Sequence, residues 1–212
     1  MLETIIHFLS KRLHQDLPFK HIEDEDIDPL LRKFIVDKQN HPNYHPRICA
    51  VMITLFEKNG KVYIPCILRP QKNRFHAGQI AFPGGGREKQ DRDLNETAIR
   101  ETFEEIGIKI SRYQIIGNLT NMYVPPSNSL ITPIVAFLNS QPSYRLNPNE
   151  VDQIIEIPIE DLLNSANHIT KTITVQKGVQ VQMPAIQSGT NIVWGATARI
   201  MKELGIILQE IS

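Results

Sequence analysis

Three carboxylates, Glu101, Glu104 and Glu105, stand at spacings i, i+3 and i+4 within R-E-T-F-E-E-I-G-I, Arg100 to Ile108. On a helix, side chains so spaced share one face. Like charges placed this way repel by roughly a few tenths of a kcal/mol per pair. A divalent cation removes that repulsion, and an all-oxygen donor set suits Mg²⁺ or Mn²⁺. A triple glycine, Gly84–Gly86, precedes the segment. In a loop without Cβ atoms, backbone N–H groups approach phosphate closely. The two features together suggest a metal ion held beside a bound phosphate.

Acidic helix faces are usually just solvated, but the flanking residues bound this one tightly. Asp93 followed by Glu96 has capping-box spacing and starts a helix near Leu94. Gly107 stands where a left-handed residue would stop it. Glu96 and Arg100 form an i,i+4 pair, and Arg100 reaches Glu104 one turn on. Ile99, Phe103 and Ile106 lie almost opposite the acids and are expected to be the packed stripe.

The segment resembles the Nudix box, R-E-U-x-E-E-x-G-U with U a bulky aliphatic, through Arg100, Glu101, Glu104, Glu105 and Gly107. Thr102 departs at the first U. The upstream acid of the general box, counted from Gly86, falls on Arg92, with Asp91 the nearest carboxylate. A second run, R-P-Q-K-N-R-F-H-A-G-Q-I-A-F-P-G-G from Arg69 to Gly85, resembles the signature of the coenzyme A pyrophosphatase branch of the Nudix hydrolases. Arg69, Arg74, Gly78 and Phe82 to Gly85 carry that likeness, while Pro70 and the Pro65-Cys66 lead-in depart from it. Arg69, Lys72 and Arg74 put three cations within six residues, suited to charge-assisted phosphate contacts. His76 in the same run reads as a turn residue. Downstream, Asn149 to Asp152, Trp194 to Ala198 and Tyr123 to Pro133 resemble other segments of the family, so the likeness covers roughly Arg47 to Gly205.

The resemblance implies an α/β fold, an α/β/α sandwich with a mixed sheet between helices. It also implies hydrolysis of coenzyme A or acyl-CoA thioesters to 3′,5′-ADP and 4′-phosphopantetheine derivatives. Glu101, Glu104 and Glu105 would hold Mg²⁺ or Mn²⁺, helped by a carbonyl of Gly84–Gly86, and Arg100 would orient Glu104. Arg69, Arg74, Gly84 and Gly85 would meet the substrate, and Glu101 and Glu150 compete as general base. Other nucleoside diphosphate derivatives remain rival substrates, and a non-catalytic nucleotide-binding module is a second rival.

Composition and patterning supply the frame. The chain has 212 residues, 41% of them hydrophobic, and zero formal net charge, which suits one sizeable core. A pI near 7.1 leaves no footprint for nucleic acid. No run approaches the roughly 18 apolar residues of a membrane span. Met1 to Leu13 is too interrupted by charge for a signal segment and reads as an amphipathic helix. Cys49 and Cys66 have no metal-ligand spacing and suit buried thiols in a reducing compartment, so a cytoplasmic location is expected. Residues 1–45 read as a helical arm and connector and 46–212 as the catalytic domain. A homodimer through the arm is left open. Glu23 to Asp28 read as solvated surface. Strands are expected over 47–56, 62–68, 80–82, 115–124, 130–138, 154–159, 170–176 and 179–183. Asn59-Gly60 should turn the first hairpin. Short helices are expected at 160–164 and from about Gly195, with Trp194 as a packing anchor.

Overall fold

The computed structural model describes residues 1–19, 29–41, 44–71, 77–174, 178 and 180–211, with backbone alone at 29–31, 34 and 38. The central strand is β1 (Arg47–Lys58). Its side chains alternate between two cores: Ala50, Met52 and Phe56 face one, Ile53 and Leu55 the other. It turns into β2 (Lys61–Leu68) through Asn59 and Gly60, whose φ values of 52° and 76° fit the type I′ hairpin foreseen from Asn-Gly. Across β1, β7 (Ser129–Phe137) runs parallel from Arg47↔Ser129 to Leu55↔Phe137.

The other strands pair antiparallel. The strands β3 (Ile80–Ala81) and β8 (Gln153–Pro158) pair with β2, and β4 (Gly84–Gly86) pairs with β1. The strands β5 (Ile115–Asn118) and β6 (Met122–Val124) pair with β7. The eight-stranded sheet is therefore mixed. A smaller antiparallel sheet joins β9 (His168–Thr174), β10 (Gln180–Ser188) and β11 (Asn191–Trp194).

Helices cover both faces of the large sheet. Ala98 and Ile106 of α3 (Leu94–Ile106) pack on Ala50, Met52, Ile67 and Ile134. The opposite core takes α1 (Leu2–Arg12) by Leu2, Ile5 and Leu9. It also takes α4 (Ile159–Leu163) by Leu162 and α5 (Ala196–Leu208) by Ile200, Met201 and Leu204. The helix α2 (Pro29–Gln39) completes the described helices. This is the sandwich the resemblance implied. The expected amphipathic helix at the N-terminus docks on the body by its apolar side.

Two sequence expectations change. The single strand over 115–124 is two, because the pairing shifts between Ile115 and Gly117 and the chain then leaves the ladder. Leu119 N–H donates to Pro133 O at 2.9 Å, and Thr120 N–H donates to Glu203 at 3.1 Å. The strand β11 was not anticipated. Trp194 is only half-buried and carries the Lys171 ammonium 5.2 Å over its ring, so its cover is partly a cation. Cys49 and Cys66 are buried and free. No helix among the described residues is long and apolar enough to cross a membrane. Glu23 to Asp28, Lys72, Arg74 and His76 lie outside the described residues.

Candidate active site

The helix α3 begins and ends where its sequence requires. Asp93 accepts the Glu96 N–H at 3.0 Å, and Gly107 at φ 77° closes the last turn with its N–H on Phe103 O. The helix is turned differently from expectation. Phe103 is 36% exposed, whereas Ala98, Thr102, Glu105 and Ile106 are buried. Hydrogen bonding explains this. The Thr102 hydroxyl donates to Ala98 O at 2.7 Å, which lets a hydroxyl occupy the aliphatic position of the box. Glu105 accepts the Gly84 N–H at 2.8 Å and so is tolerated inside. Phe103 lies instead under Lys109 and Arg145, 5.8 and 5.6 Å from its ring centre.

The three acids therefore occupy different environments. The Glu105 side chain is 3% exposed, Glu101 15% and Glu104 50%. Burial pushes the Glu105 carboxyl up to about 8, opposed by Arg69 and the Gly84 N–H and reinforced by Glu101 and Glu150. Burial also raises Glu101, with Glu104 and Glu150 adding to the shift. Glu150 sits exposed on the turn after Asn147, yet its charge acts on both helix acids. That turn is tied to the helix end, since Asn147 N–H donates to Glu105 O at 2.9 Å.

Arg100 organises the cluster. Its Nη1 donates at 3.0 Å to both Glu101 and Glu104, and its Nη2 donates at 3.0 Å to Gly86 O. The opposite edge of the guanidinium meets Asp91, Nε to Oδ1 at 3.1 Å and Nη2 to Oδ2 at 3.0 Å. Asp91 is buried and also accepts from Thr97 Oγ1 and Glu88 N–H, both at 2.9 Å. The Arg100 guanidinium, with those bonds, holds its carboxyl well below the usual carboxylate range. The shifted upstream acid is thus the anchor of Arg100 and has no lone pair directed at a metal site. Its signal in the sequence is the Asp91 to Arg100 interval, one residue longer than in the general box. Glu96 does not pair with Arg100 as expected but with Arg92, at 2.7 Å.

The glycines form a strand instead of a loop. Gly84, Gly85 and Gly86 pair with Val51, Ala50 and Cys49. Gly84 spends its N–H on Glu105, and its O accepts from Arg69 Nη2 at 3.4 Å. Gly86 O is taken by Arg100. The expected phosphate cradle is therefore largely used in holding the acids. Each glycine has a steric reason: a Cβ would come within 2.6 Å of Val51 Cα at Gly84 and within 2.5 Å of Glu101 Cδ at Gly85. Arg69 lies inside this cluster, Nη2 3.8 Å from Glu105 Oε1. Arg74 is outside the described residues.

Among the described residues, no three His, Cys, Asp or Glu side chains stand placed to grip one metal ion. Arg100 draws Glu101 and Glu104 toward itself while Glu105 turns to Gly84. The donor set nonetheless suits a hard divalent cation, being all carboxylate and carried on one helix. The raised, buried Glu105 is the acid that such a charge would return to its anionic form.

The NUDIX domain model matches residues 45–175. The uncharacterized Nudix hydrolase NudL of Photorhabdus laumondii subsp. laumondii is 32% identical over 161 residues, covering 69% of this chain and 83% of that protein. The mouse (Mus musculus) protein named peroxisomal coenzyme A diphosphatase NUDT7 is 29% identical over 167 residues, covering 76% of this chain and 70% of its own. A solved MutT/nudix family protein from Enterococcus faecalis superposes with a TM-score of 0.58 at 18% identity, over 88% of this chain and 72% of that one. That likeness speaks for the fold alone. With this domain match and relatives related along most of their length, the chain belongs to the Nudix family, hydrolases that act on diphosphate bonds and generally require a divalent metal.

Proposed function

We propose that this hydrolase cleaves the diphosphate bridge of coenzyme A or its thioesters, releasing 3′,5′-ADP and a 4′-phosphopantetheine derivative. One observation carries the reading: the Arg69 to Gly85 run leads directly into the glycine strand beneath Glu101 and Glu105, and the relative that shares it carries coenzyme A diphosphatase in its name. The catalytic domain would span 46–212, with 1–45 as the arm.

Glu101, Glu104 and Glu105 would hold Mg²⁺ or Mn²⁺. When bound, the ion offsets charge on the diphosphate and lowers the pKa of the attacking water. Arg100, fixed from behind by Asp91, aims Glu101 and Glu104. Arg69 supplies the positive charge that keeps Glu105 ionised. Recognition of the 3′-phosphate then falls to Lys72 and Arg74, since Arg69 is engaged with the acids. For the base we favour Glu150. Arg100 hydrogen-bonds Glu101 and Glu104, and Arg69 faces Glu105, whereas Glu150 is open to solvent.

The test is a panel of nucleoside diphosphate compounds with Mg²⁺, products identified by mass. Coenzyme A should give the two named fragments, and turnover of ADP-ribose or a dinucleotide alone would refute the substrate assignment. Glu104→Gln and Glu105→Gln should each collapse turnover, and normal rates in both would remove the metal helix. Glu150→Gln should lower kcat about 10²–10⁴-fold while Mn²⁺ affinity holds.

A further inference from the structure

We infer that Arg47, the first residue of β1, is a binding residue for the diphosphate oxygens of the substrate. The inference rests on the active-site reading above, and on three observations at that residue.

The first is position. Arg47 lies two residues before Cys49, which pairs with Gly86, and its guanidinium sits against Gly86 itself. A Cβ built at Gly86 would come within 2.6 Å of Arg47 Cζ, and its three nearest neighbours would all be Arg47 guanidinium atoms. The absence of a side chain at Gly86 is what lets this cation lie along the glycine strand. Gly86 O in turn accepts from Arg100, which holds Glu101 and Glu104. Arg47 and the acid cluster are thus separated by one glycine.

The second is availability. Among the described residues, the other arginines of this cluster are engaged: Arg100 by four acceptor groups, Arg69 by Glu105 and Gly84. Arg87 donates to Asp91 O and Arg92 O. Arg47 is exposed, its backbone N–H is fixed on Asn128 O at 2.8 Å, and no described carboxylate lies within ion-pair distance of its guanidinium. An exposed guanidinium held by its backbone and left uncompensated beside four carboxylates is suited to an incoming polyanion.

The third is electrostatic reach. Burial pushes the Cys49 thiol up, Arg47 pulls it down and Glu101 pushes it further up. One sulfur therefore feels both charges, which places Arg47 on the reaction-centre side of the strand. From there it meets the diphosphate, which every candidate substrate carries, sooner than a phosphate on the ribose.

Steady-state kinetics with coenzyme A and its dephospho form test this. Arg47→Ala should raise KM for both by about tenfold or more, the size of a charge-assisted contact, with kcat little changed. Arg47→Lys should recover part of the loss, and free guanidinium should partly rescue the alanine variant. Mn²⁺ affinity, read by electron paramagnetic resonance, should not move, which separates the effect from damage to the acids. Gly86→Ala should raise KM by displacing the guanidinium, and should add nothing in the Arg47→Ala background. Unchanged KM in Arg47→Ala, or an increase confined to coenzyme A and absent with the dephospho form, would overturn the inference. If neither compound is a substrate, the coenzyme A reading fails by itself. The same variants on whichever nucleoside diphosphate is turned over then decide the role of Arg47.

Discussion

Replacing Asp91 with asparagine probes the anchor on which the acid cluster depends. The buried carboxylate accepts two hydrogen bonds from Arg100, one from Thr97 and one from the Glu88 N–H, at 2.9–3.1 Å. An asparagine keeps the shape but turns one acceptor into a donor, facing either guanidinium or hydroxyl. Breaking a buried ion pair on one side costs about 3–5 kcal/mol. Arg100 keeps Glu101, Glu104 and Gly86 O, so the loss should lie near the lower end, about 3 kcal/mol. For a chain of this size that lowers Tm by roughly 6–12 °C. The sign of the pH dependence is fixed by the carboxyl being held below its ordinary value. Its contribution is complete above the unfolded value of about 3.9 and is lost only as pH falls beneath it. Urea titrations of both proteins at pH 7, 6 and 5 should give a constant gap, narrowing only below about pH 4. Arg100 would also lose its backing, so kcat should drop about 10–100-fold, the usual size for a residue that orients a ligand. Equal urea midpoints, or a gap already closing between pH 7 and 5, would show that Asp91 does not carry this load.

Three further outcomes follow from the same geometry. Glu105 has its carboxyl raised, so its folded form favours the proton and its contribution declines as pH rises from about 4.3 toward about 8. In metal-free protein, Glu105→Gln should therefore gain on the native chain between pH 5 and 8 in thermal melts, and saturating Mn²⁺ should stabilise the native chain more at pH 8 than at pH 6. The Thr54 hydroxyl is buried with no hydrogen-bond partner among the described residues. Thr54→Val should be neutral or stabilising by about 1 kcal/mol, read as a urea midpoint. Gly107→Ala forces a Cβ into the left-handed region, 2.8 Å from Arg145 Cβ, and should destabilise by about 1–2 kcal/mol or more.

What the sequence disclosed and what it concealed differ in the distance over which the deciding force acts. The ends of α3 were legible because capping is local: Asp93 meets a backbone group three residues on, and Gly107 supplies a conformation few other residues adopt. Asn59-Gly60 was legible for the same reason. The inward face of α3 was not. Hydropathy favours Ile99 and Phe103, yet Thr102 and Glu105 go inside because acceptors and donors at Ala98 and Gly84 meet them there. The second of these lies 21 residues away. The strand character of Gly84–Gly86 depends on β1, more than thirty residues upstream, and nothing in three glycines announces it. A short strand such as Asn191–Trp194 is likewise defined by its partner, although Gly189 at φ 57° marks the turn before it.

The acid cluster shows what that concealed geometry does. Three carboxylates spaced for one helix face appear equivalent in sequence, but the fold gives each a separate counterpart: Gly84 N–H with Arg69 for Glu105, and the two lobes of Arg100 Nη1 for Glu101 and Glu104. Arg100 can serve two acids only because Asp91 occupies its other edge and fixes the plane of the guanidinium. The cation that a sequence reading assigns to Glu104 is therefore shared, and its aim is set from a loop nine residues earlier. Substitutions that leave all three glutamates intact, at Asp91 or Gly85, should then change turnover through placement alone. A Gly85→Ala variant, whose Cβ would fall 2.5 Å from Glu101 Cδ, should lose kcat more than it loses stability. Full activity in that variant would mean that Glu101 need not stand where the glycine strand allows it.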